Sequence, residues 1–196
     1  FDLAGADEAV VLRYWEGLGY YRRARQLHAA AKLIVSDYKG IFPQDARTLR
    51  TLPGVGRYTA GAIASISFDL PEPILEANSR RVLARFIHYD TPLSGNKDDQ
   101  PLWDVAAAIV PRDGGAGAFN QALMDLGSII CTPVSPRCEE CPLADHCEAY
   151  QIGSVDRIPN MPARKSSKKI IKQKTKKRKN RTKIIKKKKK KKGGGG

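Results

Sequence analysis

The chain has 196 residues, four cysteines and a formal net charge of +15, which sets an expectation of one folded domain with a tail. The charge is unevenly placed: residues 164–192 hold 19 of the 35 Lys and Arg, while residues 1–163 carry 16 basic against 20 acidic side chains, a net of −4. Bulk basicity therefore makes no case for nucleic-acid binding by the folded part. No stretch approaches the roughly 20 apolar residues of a membrane span, and the start lacks the basic-then-apolar order of a secretory leader.

The patterning predicts an all-α fold. Apolar residues at three- and four-residue spacing run from Asp7 to Leu18 and from Arg22 to Tyr38, punctuated by Gly17, Gly19 and the Tyr20-Tyr21 pair. A short helix is expected at Asp45–Thr51, with Asp45 as its cap. Helices follow at Arg57–Phe68, Asn78–His88, Asp98–Val110 and Ala116–Ile130. Trp15 and Trp103 are assigned to the core. The chain opens on Phe1 within a helical pattern, so an upstream part is expected to be missing. From Lys165 to Lys192 core-forming residues are scarce, which predicts a disordered tail over 159–196 after a domain at 1–158. The monotony of that tail favours a solvated or artefactual segment over a DNA-binding arm.

All four cysteines, Cys131, Cys138, Cys141 and Cys147, fall in one 17-residue stretch with C-x6-C-x2-C-x5-C spacing. Without a secretory leader, a metal or cluster site is the better expectation than a disulfide framework. Four thiolates serve zinc or an iron–sulfur cluster. Zinc usually takes two short knuckles, and only Cys138–Cys141 is one. The spacing resembles the [4Fe–4S] loop of the endonuclease III/MutY superfamily, which implies that cofactor, with Arg137 of the loop within reach of a DNA phosphate.

Leu52-Pro53-Gly54-Val55-Gly56-Arg57 lies between two predicted helices. Glycines there permit backbone shapes closed to other residues, and exposed amides at a helix start can face a phosphate. Such contacts position DNA without reading its sequence. The same residues also fit a plain Pro-Gly turn. Joined to the cysteine loop, they resemble a helix-hairpin-helix.

Further along stands Glu76-Ala77-Asn78-Ser79-Arg80-Arg81. With this segment the resemblance to the superfamily extends over residues 7–158. It implies a DNA glycosylase of base-excision repair. A carboxylate near the sugar would stabilise the oxocarbenium-like state as the base leaves. The family usually carries Asp-Gly-Asn here, so Glu76 departs from the pattern while Asn78 keeps it. A helix-start carboxylate bound to backbone amides is the other reading of Glu76. Arg81, with Arg80 and Arg85 nearby, is assigned to the DNA backbone. Position 58 is lysine in the lyases of the superfamily, where the amine forms an imine. Tyr58 instead resembles the monofunctional adenine glycosylases, although plain packing serves a tyrosine equally well.

Leu18-Gly19-Tyr20-Tyr21-Arg22-Arg23-Ala24-Arg25 is similar to a MutY segment. The resemblance implies that Tyr20, or Tyr21, wedges into the base stack beside the base opposite the flipped-out adenine, with Arg25 nearby on DNA. By resemblance the chain is a MutY-type core acting as a monomer on double-stranded DNA bearing A:8-oxoG or A:G mispairs. Its place would be the bacterial cytoplasm or a eukaryotic nucleus, with no membrane partner. An endonuclease III-like lyase and a catalytically impaired DNA-binding fragment are the alternatives. The family's general-acid glutamate, its Gln-Gln wedge and its 8-oxoguanine-reading domain have no counterpart in these residues, so weak or absent activity is expected.

Overall fold

The computed structural model describes residues 1–93 and 99–160, and those residues are helical with no strand among them. α1 (Asp2–Gly5) precedes α2 (Glu8–Tyr14), which starts where the helix expected from Asp7 to Leu18 starts but ends four residues sooner. Asp7 is extended and its carboxylate accepts a hydrogen bond from Ala9 N at 2.7 Å, so a new helix starts there. Beyond Tyr14 the chain turns, and Trp15 Nε1 donates to Gly19 O at 2.9 Å. Trp15 is only half-buried, unlike Trp103, which belongs to the core.

α3 (Arg22–Tyr38), α4 (Ala46–Leu49) and α5 (Arg57–Phe68) enclose one apolar core built on Ile34, Leu49, Leu52, Ala60 and Ala64. Asp45 caps α4 as expected, accepting from Thr48 N at 2.8 Å. α6 (Ala77–Phe86), α7 (Gln100–Ile109), α8 (Ala116–Ile129) and α9 (Glu148–Gln151) surround a second core of Leu75, Leu83, Leu102, Trp103, Leu123 and Ile158.

The two cores are joined by α5 lying along α8. Fully buried Asn120 donates to Ser65 Oγ at 2.8 Å and to Glu72 O at 2.9 Å, and Ser65 Oγ donates to Gly61 O at 2.8 Å. A buried amide satisfied in this way holds the two helices in one register. α6 approaches α8 so closely that a Cβ at Gly127 would lie 2.7 Å from Asn78 Cβ and 2.9 Å from its backbone. Only glycine fits there, and that contact brings the start of α6 against α8.

No helix among the described residues is long and apolar enough to cross a membrane. Most of the tail expected over 159–196 lies outside the described residues. Pro159 and Asn160 are described, and Asn160 is tied back to the folded part: its O accepts from Leu93 N at 3.0 Å and its Nδ2 donates to Asp90 O at 3.1 Å.

Asp69 ends α5 in the left-handed region at φ +51. Its carboxylate receives Gly117 N at 3.0 Å and Gly115 N at 2.8 Å at the start of α8, and these bonds hold its pKa below the usual carboxylate value. A depressed folded pKa means stability that is present above the unfolded value and lost as pH falls through the folded one. Asp69→Asn keeps the shape and tolerates the left-handed backbone. Its denaturant midpoint should fall below that of the parent at pH 7, and the gap should close as pH drops below about 4. A gap independent of pH would show that the charge of Asp69 contributes nothing.

Candidate active site and iron–sulfur loop

The hairpin between α4 and α5 is anchored from below: Leu52 is buried and Val55 packs on the same core. Gly54 takes φ +83, and a Cβ there would meet Gln26 Cβ at 2.8 Å. Gly56 differs from the expectation. It is extended, at φ −89 and ψ −177, a shape any residue adopts, and the space around it is open. What glycine contributes at 56 is therefore room for a ligand to approach the first amides of α5, which have no intrahelical acceptor. Arg57, the next residue, stacks 3.9 Å above the Trp103 ring and donates to Gln100 Oε1 at 3.1 Å.

Tyr20 stands 83 % exposed with φ +47, a strained shape for a tyrosine, while Tyr21 is partly covered. Arg25 pairs with Glu8 at 3.2 Å on the surface below them.

Glu76, Tyr58 and Asn78 gather where α5, α6 and α8 meet. Glu76 is the N-cap of α6: Oε1 accepts from Asn78 N and Ser79 N, both at 2.8 Å, while Glu76 N donates to Ser79 Oγ at 2.8 Å. The other carboxylate oxygen has no hydrogen bond among the described residues. Tyr58 is raised in pKa by burial and then by the charge of Glu76, which marks the two as neighbours. Its hydroxyl donates to Met124 Sδ at 3.6 Å. Sequence reasoning passed over Met124, yet Asn120, Met124 and Gly127 recur at helical spacing along α8.

Arg81 does not lie on the surface where a DNA contact was expected. It is 7 % exposed, and its donors are engaged within the protein. Nε donates to Cys131 O at 2.6 Å, Nη2 to Asn78 Oδ1 at 2.9 Å and to Gly127 O, and Nη1 to Ala77 O at 3.3 Å. A guanidinium is tolerated in the core only when its donors are met in this way. Arg85, one turn on, is also buried and was likewise missed; it donates to Val155 O, Ile158 O, Thr132 O and, at 3.3 Å, to Cys131 Sγ. Arg137, expected within reach of phosphate, pairs with Glu140 at 2.8 Å and donates to Ile129 O at 2.9 Å.

Cys131, Cys138, Cys141 and Cys147 all line one small cavity whose remaining wall includes Pro136, Ala144 and Val155. Among the described residues no three His, Cys, Asp or Glu side chains close on a point as a single ion requires. One zinc would draw its sulfurs to about 3.8 Å of each other, from Zn–S bonds of about 2.3 Å. Four cysteines lining one cavity offer the donor set that an iron–sulfur cluster takes. Burial, with charge from the neighbouring cysteines, pushes the Cys138 and Cys147 thiols up. Four thiolates there need a cationic centre, and buried Arg85 already lies against one of them.

An all-helical scaffold with a hairpin, a carboxylate at the next helix start and a four-cysteine loop defines a helix-hairpin-helix repair protein with an iron–sulfur loop. The family comparisons agree. Residues 1–110 match the HhH-GPD superfamily of base excision DNA repair proteins, and residues 131–147 match the iron–sulfur binding domain of endonuclease III. The chain belongs to the HhH-GPD superfamily. It is 43 % identical over 150 residues to an adenine DNA glycosylase of Mycolicibacterium smegmatis, covering 76 % of this chain and 50 % of that protein. It is 41 % identical over 161 residues to one of Buchnera aphidicola, with coverages of 82 % and 45 %. The chain thus spans about half the length of these relatives. Among solved structures, a thermostable thymine-DNA glycosylase superposes with TM-score 0.68 at 31 % identity, covering 76 % of this chain and 69 % of that one. An endonuclease III–DNA complex superposes at 0.64 with 22 % identity and coverages of 77 % and 69 %, a likeness of fold.

Replacing Arg81 by Leu strands several buried carbonyls, at about 1–3 kcal/mol each. The variant should melt well below the parent and lose the visible absorbance of its cluster. An unchanged spectrum and melting temperature would show that the bridge is dispensable.

Proposed function

We propose that the chain is the core of a monofunctional adenine DNA glycosylase, which hydrolyses the N-glycosidic bond of adenine opposite 8-oxoguanine or guanine. The observation that carries the reading is the nearness of Glu76 to Tyr58 in the first turn of α5, with no amine at position 58. When the base leaves, positive charge develops on the sugar. A carboxylate oxygen facing it lowers that barrier by electrostatic attraction or by bonding at C1′. Oε1 of Glu76 is fixed by two amides, which orients the second oxygen without neutralising it. Tyr58 can hydrogen-bond at the sugar but cannot form an imine, so strand cleavage through a Schiff base is not expected.

Asn78 holds the turn. Its amide binds Glu76, and its side-chain oxygen accepts from Arg81. The amides of Gly54, Gly56 and Arg57 suit a phosphate of the bound strand, while that of Val55 donates to Leu52 O at 3.1 Å within the turn, and exposed Tyr20 can enter the stack. Arg25 and Tyr21 flank that turn. Cys131, Cys138, Cys141 and Cys147 would hold a [4Fe–4S] cluster, which cross-links the loop and fixes the segment gripped by Arg81 and Arg85. The protein acts as a monomer on duplex DNA.

A second reading rests on one observation: Glu76 already serves as a helix cap, the role that alone would leave the chain a non-catalytic DNA-binding module. Glu76→Gln separates the two, because the amide oxygen still caps α6 while the charge is lost. In the full natural polypeptide, single-turnover adenine release from an A:8-oxoG duplex should fall about 100-fold or more, with DNA affinity retained. Unchanged release sinks the assignment of Glu76. Borohydride treatment should trap no covalent adduct, whereas a trapped adduct would mark a lyase.

A further inference from the structure

Beside the hairpin lies a cavity of about 400 Å³ that none of the above uses. Arg47 and Arg50 enter it from α4 and the residue that follows α4, three positions apart and so on one side of the turn. Arg57 enters from the start of α5, Trp103 lies behind it and Glu72 is on the wall. Three guanidiniums against one carboxylate leave two positive charges in excess. Neither Arg47 nor Arg50 makes an ion pair among the described residues. Arg57 is held ready by its stack on Trp103 and its bond to Gln100. Burial and then the charge of Arg50 hold the Arg57 pKa down, with Asp104 and, more weakly, Glu72 opposing. Three guanidiniums are therefore gathered around one concave site, none of them in an ion pair among the described residues and with Glu72 and Asp104 as the nearby counter-charges, an arrangement suited to a planar, multidentate grip on an anion.

The pocket adjoins the hairpin at both ends: Arg50 lies two residues before Leu52, and Arg57 directly follows Gly56. A DNA strand carries one phosphate about every 3.4 Å of rise, so a strand held at the hairpin amides brings further phosphates alongside. We propose that the cavity walled by Arg47, Arg50, Arg57 and Trp103 seats a phosphate group, supplied by the DNA backbone next to the phosphate held at the hairpin. The choice of DNA as the source rests on the glycosylase reading; the chemistry of the seat does not.

The test uses the full chain with its cluster and compares it with Arg47→Ala/Arg50→Ala and Arg47→Lys/Arg50→Lys double variants. Duplex affinity is followed by anisotropy over a series of salt concentrations, and inorganic phosphate binding by calorimetry. Loss of one phosphate contact should make the plot of log K against log salt shallower by about 0.9 in the alanine variant. The change should be the same on mismatched and fully paired duplexes, since phosphate contacts read no sequence, and the lysine variant should keep most of the slope. An unchanged slope with unchanged phosphate binding overturns the proposal. An unchanged slope with phosphate binding lost overturns the DNA source and leaves a free-phosphate site. A shallower slope in a protein that releases no adenine supports the seat while the glycosylase reading fails.

Discussion

The buried guanidinium of Arg81 is the interaction on which the site depends. It reaches the start of α6 through Ala77 and Asn78, the closest approach of α8 through Gly127, and the first cysteine of the loop through Cys131. Each of those carbonyls would otherwise lie in a poorly solvated interior, where a missing donor is costly. The same residue thus satisfies three segments that no apolar contact could join in a defined register. Arg85 repeats the arrangement one turn deeper, binding the loop to the segment at Val155–Ile158. The cysteine loop and the candidate catalytic turn are parts of one hydrogen-bonded body.

Within that body the identity of residue 76 matters more than its charge alone indicates. Aspartate is the better N-cap because its short arm reaches the amides of the second and third helical residues. Glutamate reaches the same amides here by taking extended backbone and using one oxygen for both. Ser79 returns the bond to Glu76 N, closing a reciprocal box. The extra methylene is thereby absorbed in the cap, and the remaining oxygen rides on an arm fixed by the two amide bonds to Oε1. A longer carboxylate without that box would lose rotamer freedom on meeting a substrate.

Much of this was legible before any coordinates. Periodicity placed α3, α5 and α8 almost to the residue, because each buries one face of a regular helix and carries no internal break. The four-cysteine spacing identified the loop, and Glu76-Ala77-Asn78 stands at the start of α6, with Glu76 as its cap. The failures have physical causes. The helix expected from Asp7 to Leu18 stops at Tyr14 because the chain turns there, closed by the bond from Trp15 Nε1 to Gly19 O. Gly56 read as a conformational need, whereas its backbone is extended and the space around it is open. Arg81 read as a surface cation, since charged residues are seldom buried. Its burial depends on carbonyls up to fifty residues away, and no local pattern announces those. Arg47 and Arg50 drew no notice because their meaning lies in a meeting with Trp103 across two lobes.

That meeting bears on how a mildly acidic fold can approach DNA at all. With residues 1–163 at a net −4, the average field of the folded part repels a polyanion, and attraction must come from local geometry. On the readings proposed above, the hairpin would supply it through amides, which carry partial charge that pH does not remove. The arginine pocket would add full charges, of which that of Arg57 is pre-positioned by its stack on Trp103, which keeps the entropy lost on contact small. Both act over short range, within the roughly 8 Å screening length of physiological salt. A protein built this way is held by DNA only where the backbone lies against these particular groups. On the glycosylase reading, the carboxylate of Glu76 would then meet the sugar without a general basic surface to neutralise it, and the charge needed for chemistry would survive beside the charge needed for binding.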